Sequence, residues 1–206
     1  MVKKTIQAFA VVPFIFGSFF NPVPSQSVLA SREMSLNNRY DNSFVNDVFK
    51  DNILLTLAYM RGNVTKVSDP FIYEFRLEPS RTFAFHGDVA EKYNNSLVKT
   101  TNARFNAADG FKTDGYLFGD GVCHLASLIY WVARDAGLAA EAPTNHNFAN
   151  IPDVPKEYGV SIYNSPGSKS SNALQNLYIT NNKEKPIDFR FEYNNNKIKV
   201  SVMKLN

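Results

Sequence analysis

One cysteine, Cys123, follows Gly119-Asp120-Gly121 and heads a long apolar run, Val122 to Ala136. A helix starting there would turn its unpaired N–H groups and the positive end of its dipole toward the sulfur, an arrangement that favours a thiolate and can hold an oxyanion. Downstream, His146 sits in Asn145-His146-Asn147-Phe148 as a candidate general base, with Asp153, Asn147 or Asn150 available to orient its imidazole. Cys123 as nucleophile, His146 as base and the N–H groups of Gly121, Val122 and His124 as oxyanion donors would suit acyl transfer at an amide. The same types have a plainer reading. A free cysteine packs well as a small apolar residue in a crowded helix start, and a histidine at a loop junction is ordinary. A metal site from Cys123, His124, His146 and His86 is disfavoured, because neighbours on a helix point apart, and no Cys/His run has zinc spacing. Neither a metal nor a cofactor is expected.

Positioning these residues needs a buried helix and a sheet. The run from Val122 to Asp135 is apolar almost all round and stops at Gly137, which predicts a central helix starting at about Cys123. Val48, Phe49, Ile53, Leu54, Leu57 and Met60 recur at helical spacing, with Asn46 or Asp47 as cap and Gly62 as stop. Phe71 to Leu77, Thr82 to His86, Val160 to Tyr163 and Ile187 to Tyr193 read as extended segments. In Lys197 to Met203, Ile198, Val200 and Val202 alternate with polar residues after the turn Asn194-Asn195-Asn196, which predicts a terminal hairpin with one wet face. The expected fold is α+β, a mostly antiparallel sheet packed on the Cys123 helix. Tyr116, Phe118, Tyr130 and Trp131 are either core or the lining of a groove that stacks glycan or peptide.

The chain has 206 residues, 44% of them hydrophobic, enough to bury a core without staples. Lys3 and Lys4 precede an uncharged stretch reaching Ser31, so residues 1–30 read as a signal peptide, with Val28-Leu29-Ala30 as its cleavage site, or as a signal anchor seated in the membrane through residues 5–20. The two lysines account for two of the three net positive charges, leaving the remainder near +1 and without a basic patch, which argues against nucleic acid. Residues 31–46 are polar and Asn-rich and read as a tether, with the domain at 47–206.

Four blocks resemble the VanW family, exported cell-envelope proteins named after a member of vancomycin-resistance clusters. They are Leu77-Glu78-Pro79 with Thr82-Phe83-Ala84-Phe85; Asp114-Gly115-Tyr116; Gly119-Asp120-Gly121-Val122-Cys123-His124-Leu125-Ala126-Ser127; and Asn176-Leu177-Tyr178-Ile179-Thr180-Asn181-Asn182 with Pro186. His124 stands where the family usually has Gln, His86 where it has Asn, Ser80 where it has Gly and Asn176 where it has Asp. The family's Gly-x-Asp-Ala-Thr-Val run is reduced to Gly159-Val160-Ser161-Ile162-Tyr163, without the acid. The resemblance implies an exported protein, extracellular or held at the outer face of the cytoplasmic membrane. Its partner would be cell-wall peptide or glycan, which it would either cleave or transfer through a thiol or bind without chemistry.

Overall fold

The computed structural model describes residues 26–65 and 67–205. Lys3, Lys4 and the apolar run at 5–20 therefore lie outside the described residues. The described residues open on strand β1 (Gln26–Ser35), then helix α1 (Ser43–Arg61), β2 (Phe71–Leu77), β3 (Thr82–Ala84) and β4 (Leu97–Lys99). Helix α2 (Val122–Asp135), β5 (Ala139–Glu141), the short α3 (Lys169–Leu174), β6 (Tyr178–Thr180), β7 (Ile187–Asn194) and β8 (Lys197–Leu205) complete it. This is an α+β fold. One antiparallel sheet has the order β1-β8-β7-β2, and a smaller one has the order β4-β3-β6-β5, in which only the β3–β4 pair is parallel.

The terminal hairpin forms as its alternation predicts. Asn195 and Asn196 both take positive φ, 50° and 56°, the turn geometry whose twist matches the flanking strands. Phe75 of β2 stacks on Phe189 of β7 at 5.2 Å and on Phe83 of β3 at 5.4 Å, so one aromatic column ties the two sheets together. Each such ring removes apolar area worth about 1.5–3 kcal/mol from water. Helix α2 packs on β1, β8, β5 and α1, with Leu125, Leu128, Ile129 and Val132 inside a continuous core that also takes Ile53, Leu54 and Leu57 of α1.

Three expectations are corrected. Residues 31–46 are not a tether: Ser31 to Ser35 continue β1, paired with β8 from Ser201 to Lys197, and Met34 and Leu36 enter the core. The expected cleavage point between Ala30 and Ser31 falls inside β1. Helix α1 also begins earlier than its apolar spacing suggests. Asn42 caps it by accepting from the Val45 N–H, while Asn46 is buried and accepts from the Arg39 N–H at 2.7 Å. The third correction is at Val160 to Tyr163, where no strand forms. Its N–H groups go to unrelated partners, Ser161 to Thr144 O and Tyr163 to Gln175 O, so no ladder is built.

Candidate functional site

A cavity of about 600 Å³ opens where the Gly-rich turn, the start of α2, the His146 segment and the 161–166 loop meet. That volume falls within the range of about 300–1,000 Å³ typical of small-molecule sites. The turn is held from α1 by Asn52, fully buried, whose Nδ2 donates to Lys112 O and Asp120 O and whose Oδ1 accepts from the Lys112 N–H. Gly121 takes φ 95° as the residue before α2. A side chain there would strike the α1 backbone, so only glycine lets the two helices approach this closely.

Cys123 is the second residue of α2, on the cavity wall, and the residue is half-buried. Its sulfur is occupied at both ends by a single residue. It accepts from the Ile162 N–H at 3.3 Å and its S–H reaches Ile162 O at 3.6 Å. Next to it, Ser127 Oγ donates to Cys123 O and accepts from the Val160 N–H, so 160–162 is laced to the first turns of α2. Burial pushes the thiol up to about 11, the Ile162 N–H pulling it down and the Asp120 charge adding to the rise. Desolvation of the anion outweighs the backbone N–H groups of Ile162 and Cys123 that would favour it. Two of the expected oxyanion donors are spent within the turn: the Val122 N–H donates to Gly119 O and the His124 N–H to Gly121 O.

His124 and His146 also line the cavity, 4% and 7% exposed, with ring centroids 6.3 Å apart and planes nearly perpendicular. His124 meets Phe49 edge-on, and His146 lies 4.0 Å from the exposed ring of Phe148. The Nδ1 atoms of both are buried without a hydrogen-bond partner. Burial holds His124 neutral, with a pKa lowered to about 3, helped by the Arg39 charge and by His146. His146 is lowered by burial too, against the pull of its own carbonyl and that of Ala149. The imidazole does not hydrogen-bond the sulfur, and none of Asp153, Asn147 and Asn150 bonds the His146 Nδ1. Asp153 instead takes the Arg39 guanidinium at 2.6 Å and the Ser35 N–H. Gly159 matters here as well: a Cβ on it would stand 2.9 Å from His146 O.

Tyr116 and Phe118 stand at the cavity mouth, where Thr113 and Phe118 close a small bridge. Trp131 is elsewhere, stacked on Tyr158 at 5.6 Å beneath the Arg32 guanidinium, and Tyr130 packs on the same tyrosine. His86 lies outside the cavity, bonded to Gln175 O and Asn176. Sequence reasoning missed Arg39, Asn52, Phe148 and Asp120. Asn52 sits on the same helix as the apolar residues used to predict α1, and two of the four carried a signal, Phe148 as the last residue of the His146 segment and Asp120 as the centre of the Gly-rich turn. Among the described residues, no three His, Cys, Asp or Glu side chains are grouped to hold a metal, and no helix is long and apolar enough to cross a membrane.

The family model described as VanW like protein matches residues 61–203, most of the chain. The chain belongs to the VanW family. No curated protein and no solved structure matches it. The matched span of this VanW chain contains both Gly-rich and Asn-Asn blocks, while β1 and nearly all of α1 precede it. The structure gives the Asn-Asn block a scaffold role: buried Asn181 donates to Leu77 O and Lys185 O and accepts from the Lys183 N–H, pinning the β2–β3 turn to the loop after β6. In that turn Ser80 takes φ 61°, a conformation that suits the glycine of the family pattern.

The buried histidines set a pH dependence. His86, His124 and His146 all have folded pKa values below 6.5, with burial the leading cause. Above 6.5 neither state is protonated at these rings. As pH falls below it, the unfolded chain gains protons that the folded one refuses, so stability is lost from 6.5 downward, toward about 3 for His124. Going from pH 7.5 to 5 should cost about 2 kcal/mol from His124 alone. His124→Gln should flatten that part of a urea-midpoint profile; an unchanged profile would mean that the ring is protonated in the fold.

Proposed function

We propose that this VanW-family protein is a non-catalytic module of the cell envelope that binds a wall-derived ligand in the Cys123–His124–His146 cavity. The observation that carries the reading is the sulfur bonded at both ends to Ile162, with the thiol raised to about 11 and no imidazole bonded to it. Such a thiol holds the 160–162 segment on α2 and has almost no thiolate at neutral pH. An aromatic mouth over a neutral interior suits binding. On this reading the amino-terminal segment exports the chain or anchors it, leaving the domain at the outer face of the cytoplasmic membrane, where wall peptide or glycan is the available partner.

The competing reading, a thiol hydrolase or transferase acting on a wall amide, is favoured by one observation, the placement of Cys123 on the cavity wall beside two imidazoles. The two readings separate on alkylation. A folded thiol near 11 should react with iodoacetamide at pH 7.5 at least about a hundredfold more slowly than a free cysteine, and urea should restore the ordinary rate. Rapid labelling of the folded protein, together with loss of wall-fragment cleavage in Cys123→Ser, would establish the enzyme instead.

A further inference from the structure

We infer that the ligand of this cavity is an uncharged, N-acylated sugar chain, an inference that rests on the binding-module reading above. Charge narrows the choice first. Among the described residues only two charged side chains line the cavity, Arg39 and Asp120, and the cation is taken up by the fold. The Arg39 Nη atoms donate to Asp153, Asn38, Pro152 O and Met34 Sδ, and Asp120 accepts from the Asp114 N–H. An anionic ligand would meet no available cation and would be desolvated without return.

The interior nevertheless asks for polar partners. His124 and His146 are more than nine-tenths buried, held neutral, and their Nδ1 atoms find no partner within the protein. Orphaned nitrogens of this kind cost free energy in the unliganded fold, and turning either ring toward a ligand that brings a matching donor or acceptor recovers it. Their neighbours Phe49 and Ile162 are apolar. An acetamido group supplies an N–H, a carbonyl and a methyl together, which matches that mixture.

The mouth separates sugar from peptide. Tyr116 is 92% exposed and Phe148 74%, two aromatic rings from separate segments that remain open to solvent, although Phe148 also packs against His146. The C–H face of a pyranose stacks on such rings, as an amphipathic ring prefers. An extended peptide would instead seek backbone groups to extend a ladder. Along the wall those are taken: the N–H groups of Ser161, Ile162 and Tyr163 go to Thr144 O, Cys123 Sγ and Gln175 O.

Titration calorimetry of the full chain with the N-acetylglucosamine tetramer tests this. The tetramer should bind with Kd of about 1 mM or tighter, and the glucosamine tetramer, which lacks the acetyl groups and carries charge, at least about tenfold more weakly. Phe148→Ala and Tyr116→Ala, both at exposed positions that leave the core intact, should each weaken binding by about tenfold. Equal binding of both tetramers, or no binding of the acetylated one, overturns the inference. If a neutral capped D-alanyl-D-alanine peptide binds instead and Phe148→Ala abolishes it, the sugar assignment falls and the binding module stands. If neither binds and folded Cys123 alkylates rapidly, both fall.

Discussion

Gly121→Ala should destabilise the protein by about 3 kcal/mol or more, the sum of a left-handed backbone that a side chain resists and a clash that cannot relax. At φ 95° the added Cβ would sit 2.8 Å from both Cα and O of Phe49 and 2.9 Å from its Cβ. The first two are backbone atoms in the middle of α1, so relief requires moving one helix relative to the other. Gly62, the stop of α1, provides the control: its φ is 72°, and an added Cβ there meets nothing within 4 Å. Gly62→Ala should therefore cost only about 1 kcal/mol, the backbone part alone. The difference between the two urea midpoints isolates the helix contact. Equal losses would show that α1 and α2 are not pressed together at this point. Because Phe49 also packs against His124, Gly121→Ala should weaken ligand binding as well as stability, whereas Gly62→Ala should leave binding unchanged.

The same helix pair shows what the sequence made legible. Helix α2 announced itself by apolar residues all round and a glycine at its end, and the β7–β8 hairpin by strict alternation around an Asn turn, because burial decides those segments residue by residue. Strand β1 gave no such sign. Of its residues only Met34 is buried, and the strand is held by its backbone ladder to β8, which no side-chain pattern records. Val160 to Ile162 failed in the opposite sense: branched apolar residues suggested a strand, but their burial comes from α2, through Ser127 and Cys123. At the site, Cys123, His124 and His146 do converge on one cavity, while Asp153 and Trp131 go elsewhere. Asp153 was a candidate because of its closeness in sequence to His146, but its charge was claimed by a buried arginine far back in the chain. That arginine lay in a segment whose polar composition hid its burial.

Arg39 is the residue whose disturbance should be felt most widely. Its guanidinium side chain is fully enclosed while Asp153 remains more than a third exposed, and its Nη atoms join the end of β1, the 38–39 turn and the Pro152–Asp153 loop. Burial lowers its pKa and the Asp153 carboxylate opposes that shift. Removing the carboxylate leaves the cation desolvated and uncompensated, so Asp153→Asn, which tolerates the φ of 65° at this position, should cost about 3 kcal/mol. Arg39→Met fills much of the same space without a charge and should cost less than Asp153→Asn, since an apolar replacement of a buried ion often comes close to neutral. The double variant should be no worse than Arg39→Met alone. If Asp153→Asn proves the milder of the two single changes, the arginine is anchored by its carbonyl and amide partners and the ion pair is incidental. Arg39→Met carries a second readout at the cavity. The Arg39 charge is the second contribution, after burial, holding His124 near 3, so its removal should move the His124 ring titration upward in an NMR pH series while leaving the distant His86 where it was. A purely structural loosening would shift the rings together; a selective rise at His124 identifies the arginine as the charge that keeps the cavity floor neutral.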